Sequence, residues 1–351
     1  MQNEENMTPR TRVLAAIDRR ETDRIPIGFD AHEGIEKKLL EHFGVKDRLA
    51  LFDAMGIDGF SVFCDSYVYP KYAGPEPITL PDGSRPDFFG IVSQKHWPLA
   101  FARTIADLDR YRWPRAEWFD CSTVKQRCLE IKARRRAAVG GEGGCGIIHA
   151  VNLRGYELAL TDPLLDPDLT HAYMQRMGDF FVDWNERWLG AAEGEFDIYR
   201  CGDEIGNSLA MHCSPAVWRE FYKPQLKRIF AVAKRHALKI WFHCCGCCRP
   251  VIEDLIEIGV DLLDPVPDYV AGNGHAELKR LYGGRLAFIG SVSHMILIRG
   301  TPSGVENETK RCIDTLGPRG YIIGGSQVLT NDMPLENVLA MFRTAAKYGK
   351  C

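Results

Sequence analysis

The chain has 351 residues, a length that suits either one large α/β barrel or two domains of ordinary size. Its 44 lysines and arginines are balanced by 47 aspartates and glutamates, and the resulting net charge of -3 argues against a broadly basic nucleic-acid-binding protein. The sequence has no run of about 18 consecutive apolar residues and no apolar block after its polar start. We therefore expect neither a membrane span nor a secretory signal peptide, and we expect a cytoplasmic protein.

The first predicted helix follows Thr8 as N-cap, with Pro9 in the first helical position. After it, short apolar runs that end in glycine or polar residues alternate with longer stretches of helical periodicity. The predicted helices include 164–189, 215–236, 251–258 and 302–316. The predicted strands are 25–29, 59–63, 137–141, 197–201, 239–242, 261–264, 286–290 and 321–324. Eight strand–helix units predict parallel strands closed into an α/β (β/α)₈ TIM barrel, with a doubly wound open sheet as the alternative.

The segment 72–99 interrupts this alternation. It contains several prolines and an Asp82-Gly83 pair flanked by short apolar runs, which is typical of a hairpin. We expect a hairpin excursion after the second strand, at the end of the barrel where active sites lie. No flexible linker or low-complexity stretch is evident, so we expect one domain over residues 1–351.

Four of the 12 cysteines fall within residues 244–248, directly after the fifth predicted strand. Because strand side chains alternate between faces, His243 and Cys245 point the same way and Cys244 points the other way. A His-x-Cys pair at a strand end supplies two of the three protein ligands of a catalytic zinc site. The alternative is a hydrogen-bonded histidine beside small buried cysteines. Cys247 and Cys248 could complete a C-x-x-C pair with Cys244 or Cys245, as metal ligands or redox thiols, or simply cap the next helix.

The fourth predicted strand runs into Asp203 and Glu204. Carboxylates at a strand end can act as general acid or base or complete a metal site, and we expect this role mainly of Glu204. For Asp203 an ordinary capping contact is the simpler interpretation. Polar side chains near other strand ends are candidate substrate-binding residues: Asp30, His32, Tyr67, Ser291, His294, Ser326 and Gln327. No phosphate-binding fingerprint occurs, so we expect no nucleotide cofactor.

Short segments in order along the chain resemble the uroporphyrinogen decarboxylase superfamily. They are Thr-Pro-Arg-Thr-Arg-Val-Leu-Ala-Ala-Ile at 8–17, Asp-Arg-Ile-Pro-Ile at 23–27, Asn-Leu-Arg-Gly-Tyr-Glu at 152–157, the Ser-Pro and Trp-Arg-Glu-Phe-Tyr-Lys-Pro pieces within 214–224, His-Cys-Cys-Gly at 243–246 with Leu-Ile-Glu-Ile-Gly-Val-Asp at 255–261, and Met-Pro-Leu-Glu-Asn-Val-Leu-Ala at 333–340. The resemblance implies the same TIM barrel. It also implies one of two activities, porphyrinogen decarboxylation or corrinoid-dependent methyl transfer.

The two branches differ at positions that this sequence allows us to compare. True decarboxylases carry an arginine-rich segment after the first strand, whereas here that segment holds Asp30 and Glu33 and would repel a polyanionic tetrapyrrole. The methyltransferase branch, in which His-x-Cys and a distant cysteine bind zinc, fits better at His243 and Cys245. The distant cysteine is replaced by the Gly-Ser-Gln at 325–327. The resemblance therefore implies that zinc binds weakly, or not at all, or takes its third ligand from Glu204, Cys201 or Cys247.

Three functions follow as hypotheses. The first is a zinc-dependent methyltransferase acting on a small thiol or methoxylated substrate, with a corrinoid (cobalamin) on a partner protein that docks at the barrel mouth. The second is a decarboxylase in which Arg154 or Arg200 holds a carboxylate and Asp30 or His32 protonates the carbanion. The third is a non-catalytic barrel that binds a corrinoid or tetrapyrrole. The sequence leaves the direction of transfer and the oligomeric state open.

Overall fold

A computed structural model describes residues 7–59, 67–141 and 144–350. Its strands are β1 Lys71–Tyr72, β2 Phe119–Asp120, β3 Val139–Gly140, β4 Ile198–Gly202, β5 Lys239–His243, β6 Leu262–Asp264, β7 Ala287–Ile289 and β8 Tyr321–Ile322. Strands β3 to β8 form one parallel sheet in chain order, and β1 pairs with β2 as a separate antiparallel ribbon. These six parallel strands coincide with the third to eighth strands predicted from the sequence.

Isolated parallel bridges continue this sheet around the barrel. Ile27 bridges to Ile323 just beyond β8, Gly28 bridges to Gly59, and Tyr67 bridges to Val139 in β3. The first predicted strand is thus represented by the bridges at 27 and 28, and residues 60–63 of the second lie outside the described part of the chain. The fold is a TIM barrel, as the strand–helix alternation predicted.

The helices are α1 Pro9–Ile17, α2 Glu33–Phe43, α3 Arg48–Met55, α4 Val124–Ala133, α5 Ile147–Arg154, α6 Tyr156–Leu165, α7 Pro167–Ala191, α8 Pro215–Val217, α9 Lys223–Arg235, α10 Ile252–Glu257, α11 His275–Tyr282, α12 His294–Arg299, α13 Pro302–Leu316 and α14 Leu335–Tyr348. Helix α13 spans the predicted residues. The helix predicted over 164–189 begins instead at Pro167, because Asp166 accepts a hydrogen bond from Leu169 N at 3.1 Å and caps α7. Within the described residues no helix is both long and apolar enough to cross a bilayer.

Two hydrophobic layers hold the barrel together. The inner layer consists of alternate strand residues such as Ile198, Trp241 and Leu262, and it is closed at one end by Val13 and Ile17 of α1. The outer layer lies between the strands and the surrounding helices, where α7 contributes the stacked indoles of Trp184 and Trp188. Because α1 fills the end where the strands begin, the opposite end is left for a site.

The segment 72–99 is an excursion, but the expected hairpin is absent from this described stretch. Asp82 and Gly83 lie in a tight turn in which Leu80 N donates to Ser84 O at 2.9 Å, without paired strands on either side. The physical reason is the row of prolines around the turn, since proline lacks the N–H group that a strand ladder needs. The local antiparallel pairing is made instead by β1 and β2.

Candidate active site

A cavity of about 280 Å³ opens at the carboxyl ends of the strands, opposite α1. Inward-facing side chains of neighbouring strands line it, because residues two apart on a strand share a face. The lining includes three aromatic side chains, Phe29, Trp241 and Phe342, and the polar side chains of Asp30, Arg200, His243, Asp264 and Gln327. This is the position at which barrel enzymes place their chemistry.

His243 and Asp264 form a hydrogen-bonded pair in this cavity. They are register neighbours at the ends of β5 and β6, and His243 Nδ1 lies 2.9 Å from Asp264 Oδ2. Trp241 Nε1 donates to the same oxygen at 2.9 Å, which holds the carboxylate in place. Burial acts to lower the pKa of His243, but the charge of Asp264 and the hydrogen bonds of the imidazole with Asp264 and Cys245 outweigh it and raise the pKa to about 9. The pair fixes the orientation of the imidazole, with Nδ1 on Asp264.

Cys245 and Glu204 approach each other at the edge of the same site. The Cys245 thiol donates to Glu204 Oε1 at 3.7 Å, and Glu204 is exposed. Their two loops are in direct contact, since a Cβ on Gly246 would lie 1.7 Å from Gly206 O. Only glycine allows this approach, which brings the loop after β4 against the loop after β5.

The donor atoms at this edge suit zinc in type. His243 would bind through Nε2, with Asp264 as the carboxylate that usually supports a ligating histidine, and Cys245 would supply a thiolate. Glu204 is a further carboxylate in contact with Cys245. Across residues 7–59, 67–141 and 144–350, no three His, Cys, Asp or Glu side chains are gathered as a ready-made metal site. Two of the residues, His243 and Cys245, thus have the chemistry of zinc ligands, and within the described residues no third ligand lies in place beside them.

The other candidate third ligands point elsewhere. Cys201 is buried among the outer-layer residues, and the thiol of Cys247 donates to Ala271 O at 3.4 Å. Cys244 and Cys248 are also buried, and the Cys244 thiol donates to Gly246 O at 3.6 Å. The cysteines of the described residues form no disulfide bonds with one another.

Asp203 lies outside the cavity, in a capping position. Its Oδ1 accepts hydrogen bonds from Ile148 N at 2.9 Å and Glu204 N at 2.8 Å, at the start of α5. Burial raises the pKa of Asp203 to about 6, against the effect of these backbone N–H groups. The contact is possible because residue 146 is glycine. A Cβ atom added at this position would lie 2.2 Å from the Asp203 carboxyl carbon.

Arg200 projects into the cavity from β4. Its guanidinium lies over the Trp241 ring, 5.1 Å from the ring centroid. Its Nε is buried and has no hydrogen-bond partner. The positive charge of Arg200 also acts against protonation of His243.

The remaining predicted substrate-binding residues are distributed unevenly. Asp30 and Gln327 line the cavity, and Gln327 Nε2 donates to Tyr269 OH at 3.3 Å. The other five are not among the lining residues. His32 is exposed before α2, and the ring of Tyr67 stacks on that of Tyr69. Ser291 hydrogen-bonds Tyr321, and Ser326 Oγ accepts a hydrogen bond from the backbone N–H of His294. The structure thus brings together Asp30, Arg200, His243 and Gln327.

Arg154 is a structural residue of the protein interior. Its Nε donates to Asp162 Oδ2 at 2.7 Å, and its Nη1 donates to the carbonyls of Leu99 and Ala102. The side chain is 1% exposed and lies away from the cavity. It therefore joins α5 and α6 to the excursion.

Sequence reasoning missed Asp264 and Trp241. Asp264 ends the sixth predicted strand, so its position at a strand end was the available signal. Its pairing with His243 depends on the register between β5 and β6, which one sequence does not show. Trp241 has no comparable signal, because an indole in an apolar strand is usually a packing residue.

Comparison with known proteins agrees with this architecture, a TIM barrel with polar residues at the carboxyl ends of its strands. The model of the uroporphyrinogen decarboxylase (URO-D) family matches residues 45–348. The chain belongs to this family, which confirms the resemblance seen in the sequence. No curated protein sequence matches the chain.

Several solved structures are similar to this chain to different extents. A methyltransferase from Methanosarcina mazei has a TM-score of 0.63 at 18% identity, covering 98% of this chain and 99% of its own. A D-allulose 3-epimerase from Methylomonas sp. has a TM-score of 0.37 at 14% identity, over 72% and 92%. A D-psicose 3-epimerase from Clostridium cellulolyticum H10 has a TM-score of 0.38 at 12% identity, over 70% and 88%.

Proposed function

We propose that the protein is a zinc-dependent methyltransferase that works with a corrinoid on a partner protein. The observation that carries the proposal is the pair His243 and Cys245 beside the cavity, with Nδ1 of His243 held by Asp264. This arrangement leaves an imidazole nitrogen and a thiol as metal ligands, and it supplies the carboxylate support that zinc-bound histidines use. The fold shared with a methyltransferase over nearly the whole chain supports the same assignment.

The residues of the chain have distinct roles in this proposal. Bound zinc would lower the pKa of a substrate thiol so that the thiolate forms at neutral pH. Asp264 fixes the orientation of His243, and Glu204 accepts the proton that the thiol loses. Methylcobalamin, as the co-substrate, would supply the methyl group: the sulfur–carbon bond would form as the cobalt–carbon bond breaks, with both electrons of that bond staying on cobalt. In demethylation of a methoxylated substrate, the reduced corrinoid would accept the methyl group and Glu204 would donate a proton to the departing oxygen.

The size of the cavity supports a small substrate. Its volume of about 280 Å³ is below the usual range for sites that hold drug-sized ligands, about 300–1,000 Å³, and a tetrapyrrole is larger than these ligands. Asp30 at the cavity wall would also repel a substrate with many carboxylates. Both observations count against uroporphyrinogen as the substrate.

Decarboxylation of a small carboxylate is the second candidate. It is favoured by the presence of Arg200 and Asp30 in one cavity, as a carboxylate-holding cation and a proton donor. Arg154, the other arginine considered for this role, is held by Asp162. Decarboxylation predicts activity that survives metal chelation and loss of Cys245.

The proposal is tested by methyl transfer from free methylcobalamin to 3-mercaptopropionate, with the methyl thioether product measured by mass spectrometry. We expect product with the wild type and with Cys244→Ala, whose thiol faces away from the site. Product should fall to the enzyme-free level with Cys245→Ala and after chelation. Transfer that is unchanged by Cys245→Ala, or absent from the zinc-loaded wild type, would contradict the proposal. Binding of the corrinoid without turnover would favour the non-catalytic barrel.

A further inference from the structure

A side-chain hydrogen bond joins the loops after β6 and β8 at the rim of the cavity. Gln327 Nε2 donates to Tyr269 OH at 3.3 Å. Gln327 is one of the residues that line the cavity, whereas Tyr269 is not among them and is 48% exposed. The bond therefore runs from the cavity wall outward to the surface, which places it at the entrance.

This bond passes over the end of β7, because β7 lies between β6 and β8 in the sheet. The residue that follows β7, Gly290, lines the cavity and carries no side chain to fill the space beneath the bond. Its backbone packs between Pro265 and Gly325, since a Cβ on Gly290 would lie 3.0 Å from an atom of each. The base of this wall is thus closely packed, and the bond between Tyr269 and Gln327 joins its outer part.

The backbone of the loop after β6 is held on both sides of Tyr269. The preceding residue, Asp268, pairs with Arg311 at 2.7 Å. Two residues after Tyr269, Ala271 N donates to Ser208 O at 2.9 Å. Motion at this position is therefore confined mainly to the tyrosine side chain.

The backbone of the loop after β8 is held in the same way around Gln327. Ser326 N donates to Val292 O at 2.8 Å, and Leu329 N donates to Asp30 O at 2.8 Å. The bond at the rim can therefore open by side-chain rotation, without movement of either loop. Rotations of exposed side chains take picoseconds to nanoseconds.

The bond is also of a kind that opens readily. Both of its groups are uncharged, and water competes for them because Tyr269 is exposed and Gln327 is only half-buried. An uncharged hydrogen bond in contact with water contributes little net stability, so the closed arrangement is favoured only modestly over an open one.

We infer that Tyr269 and Gln327 form an access latch, which narrows the entrance while their hydrogen bond is intact and admits a substrate-sized molecule on this side when the bond opens. The inference goes beyond the proposed function, because it concerns entry to the cavity and holds for any reaction that occurs there. It gives a role at the site to Tyr269, whose side chain lies outside the cavity lining.

The test measures how readily a nitroxide of substrate size, 4-hydroxy-TEMPO, reaches Trp241 inside the cavity. The indole N–H of Trp241, which donates to Asp264 Oδ2 at 2.9 Å, is observed by NMR in protein with isotope-labelled tryptophan and assigned by its absence from Trp241→Phe. Its broadening by the nitroxide is compared with its broadening by dissolved oxygen, a probe small enough to pass a closed latch. The indole of Trp113 is an internal control, because it donates to Leu108 O at 3.1 Å outside this cavity.

The key variant is Tyr269→Phe, which keeps the ring and removes only the hydroxyl group. We expect it to increase the nitroxide broadening of Trp241 about two- to tenfold, as loss of one such hydrogen bond allows, and to leave the oxygen broadening unchanged. Gln327→Leu, which keeps a similar volume, should have the same effect. Because each change removes the same bond, the double variant should broaden Trp241 no more than either single variant. The Trp113 signal should respond equally in all four proteins.

The inference is overturned if Tyr269→Phe leaves the nitroxide broadening of Trp241 unchanged. It is also overturned if the oxygen broadening rises equally, which would show a general loosening of the fold, or if the two single effects add in the double variant. The protein is free of zinc and methyl donor in these measurements. Absent methyl transfer with an intact latch would therefore count against the proposed function alone.

Discussion

Replacing Arg154 with methionine separates a structural role for this arginine from a substrate-binding one. The change leaves Asp162, whose side chain is 9% exposed, as a buried carboxylate without its cation, and it removes one of the hydrogen bonds that the carbonyls of Leu99 and Ala102 accept. Removing one member of a buried ion pair costs about 3–5 kcal/mol of the free energy of unfolding. For a chain of this length, that corresponds to a fall in Tm of about 4–7 °C.

The assay is urea unfolding of Arg154→Met beside the double variant Arg154→Met/Asp162→Leu. The double variant should recover most of the lost stability, because it removes the buried charge together with its partner. Methyl transfer to 3-mercaptopropionate should stay within about twofold of the wild type in both variants, because Arg154 does not line the cavity. An unchanged unfolding midpoint in Arg154→Met would refute this reasoning about burial. Loss of methyl transfer with unchanged stability would instead restore Arg154 as a substrate residue.

Two further predictions concern the histidine beside α7 and the contact between the site loops. Burial lowers the pKa of His149 to about 4, so the wild type should lose up to about 3 kcal/mol of its free energy of unfolding as the pH falls from 6.5 to 4. In urea unfolding, His149→Gln should lack this pH-dependent loss. The same pH dependence in both proteins would contradict the prediction. Gly246→Ala should lower the free energy of unfolding by about 1–3 kcal/mol and lower the zinc content, because the added methyl group separates the two loops. Gly284→Ala is the control and should have neither effect, because a Cβ at residue 284 meets open space. Equal effects of the two substitutions would count against the loop contact.

The strands of the barrel were predictable because each has a short apolar run that ends abruptly. Residues such as Ile198 and Leu262 face the inner layer, and their strand neighbours face the helices, so both faces are apolar. The hairpin around Asp82 was predicted wrongly, because its turn signal was read without weighing the prolines that prevent strand pairing. Local patterns therefore identified the barrel strands better than the irregular excursion.

The site was predictable only where a local motif marked it. His243 and Cys245 stand two apart at a strand end, a spacing that indicates a metal-binding pair from sequence alone. The partner of His243 is Asp264, 21 residues later, and their contact depends on the pairing of β5 with β6. Whether an arginine is buried with a carboxylate, as Arg154 is, or left facing a cavity, as Arg200 is, depends on packing that one sequence does not reveal.

The most direct test of the account is the metal content of protein purified without added metal, measured by elemental mass spectrometry. The wild type and Cys244→Ala should each contain about one zinc per chain, and His243→Ala and Cys245→Ala should contain almost none. Cys244→Ala is the matched control, because the Cys244 thiol is buried and donates to Gly246 O, whereas the Cys245 thiol contacts Glu204. A folded wild type that contains no zinc and takes up none on addition would contradict the zinc-dependent mechanism.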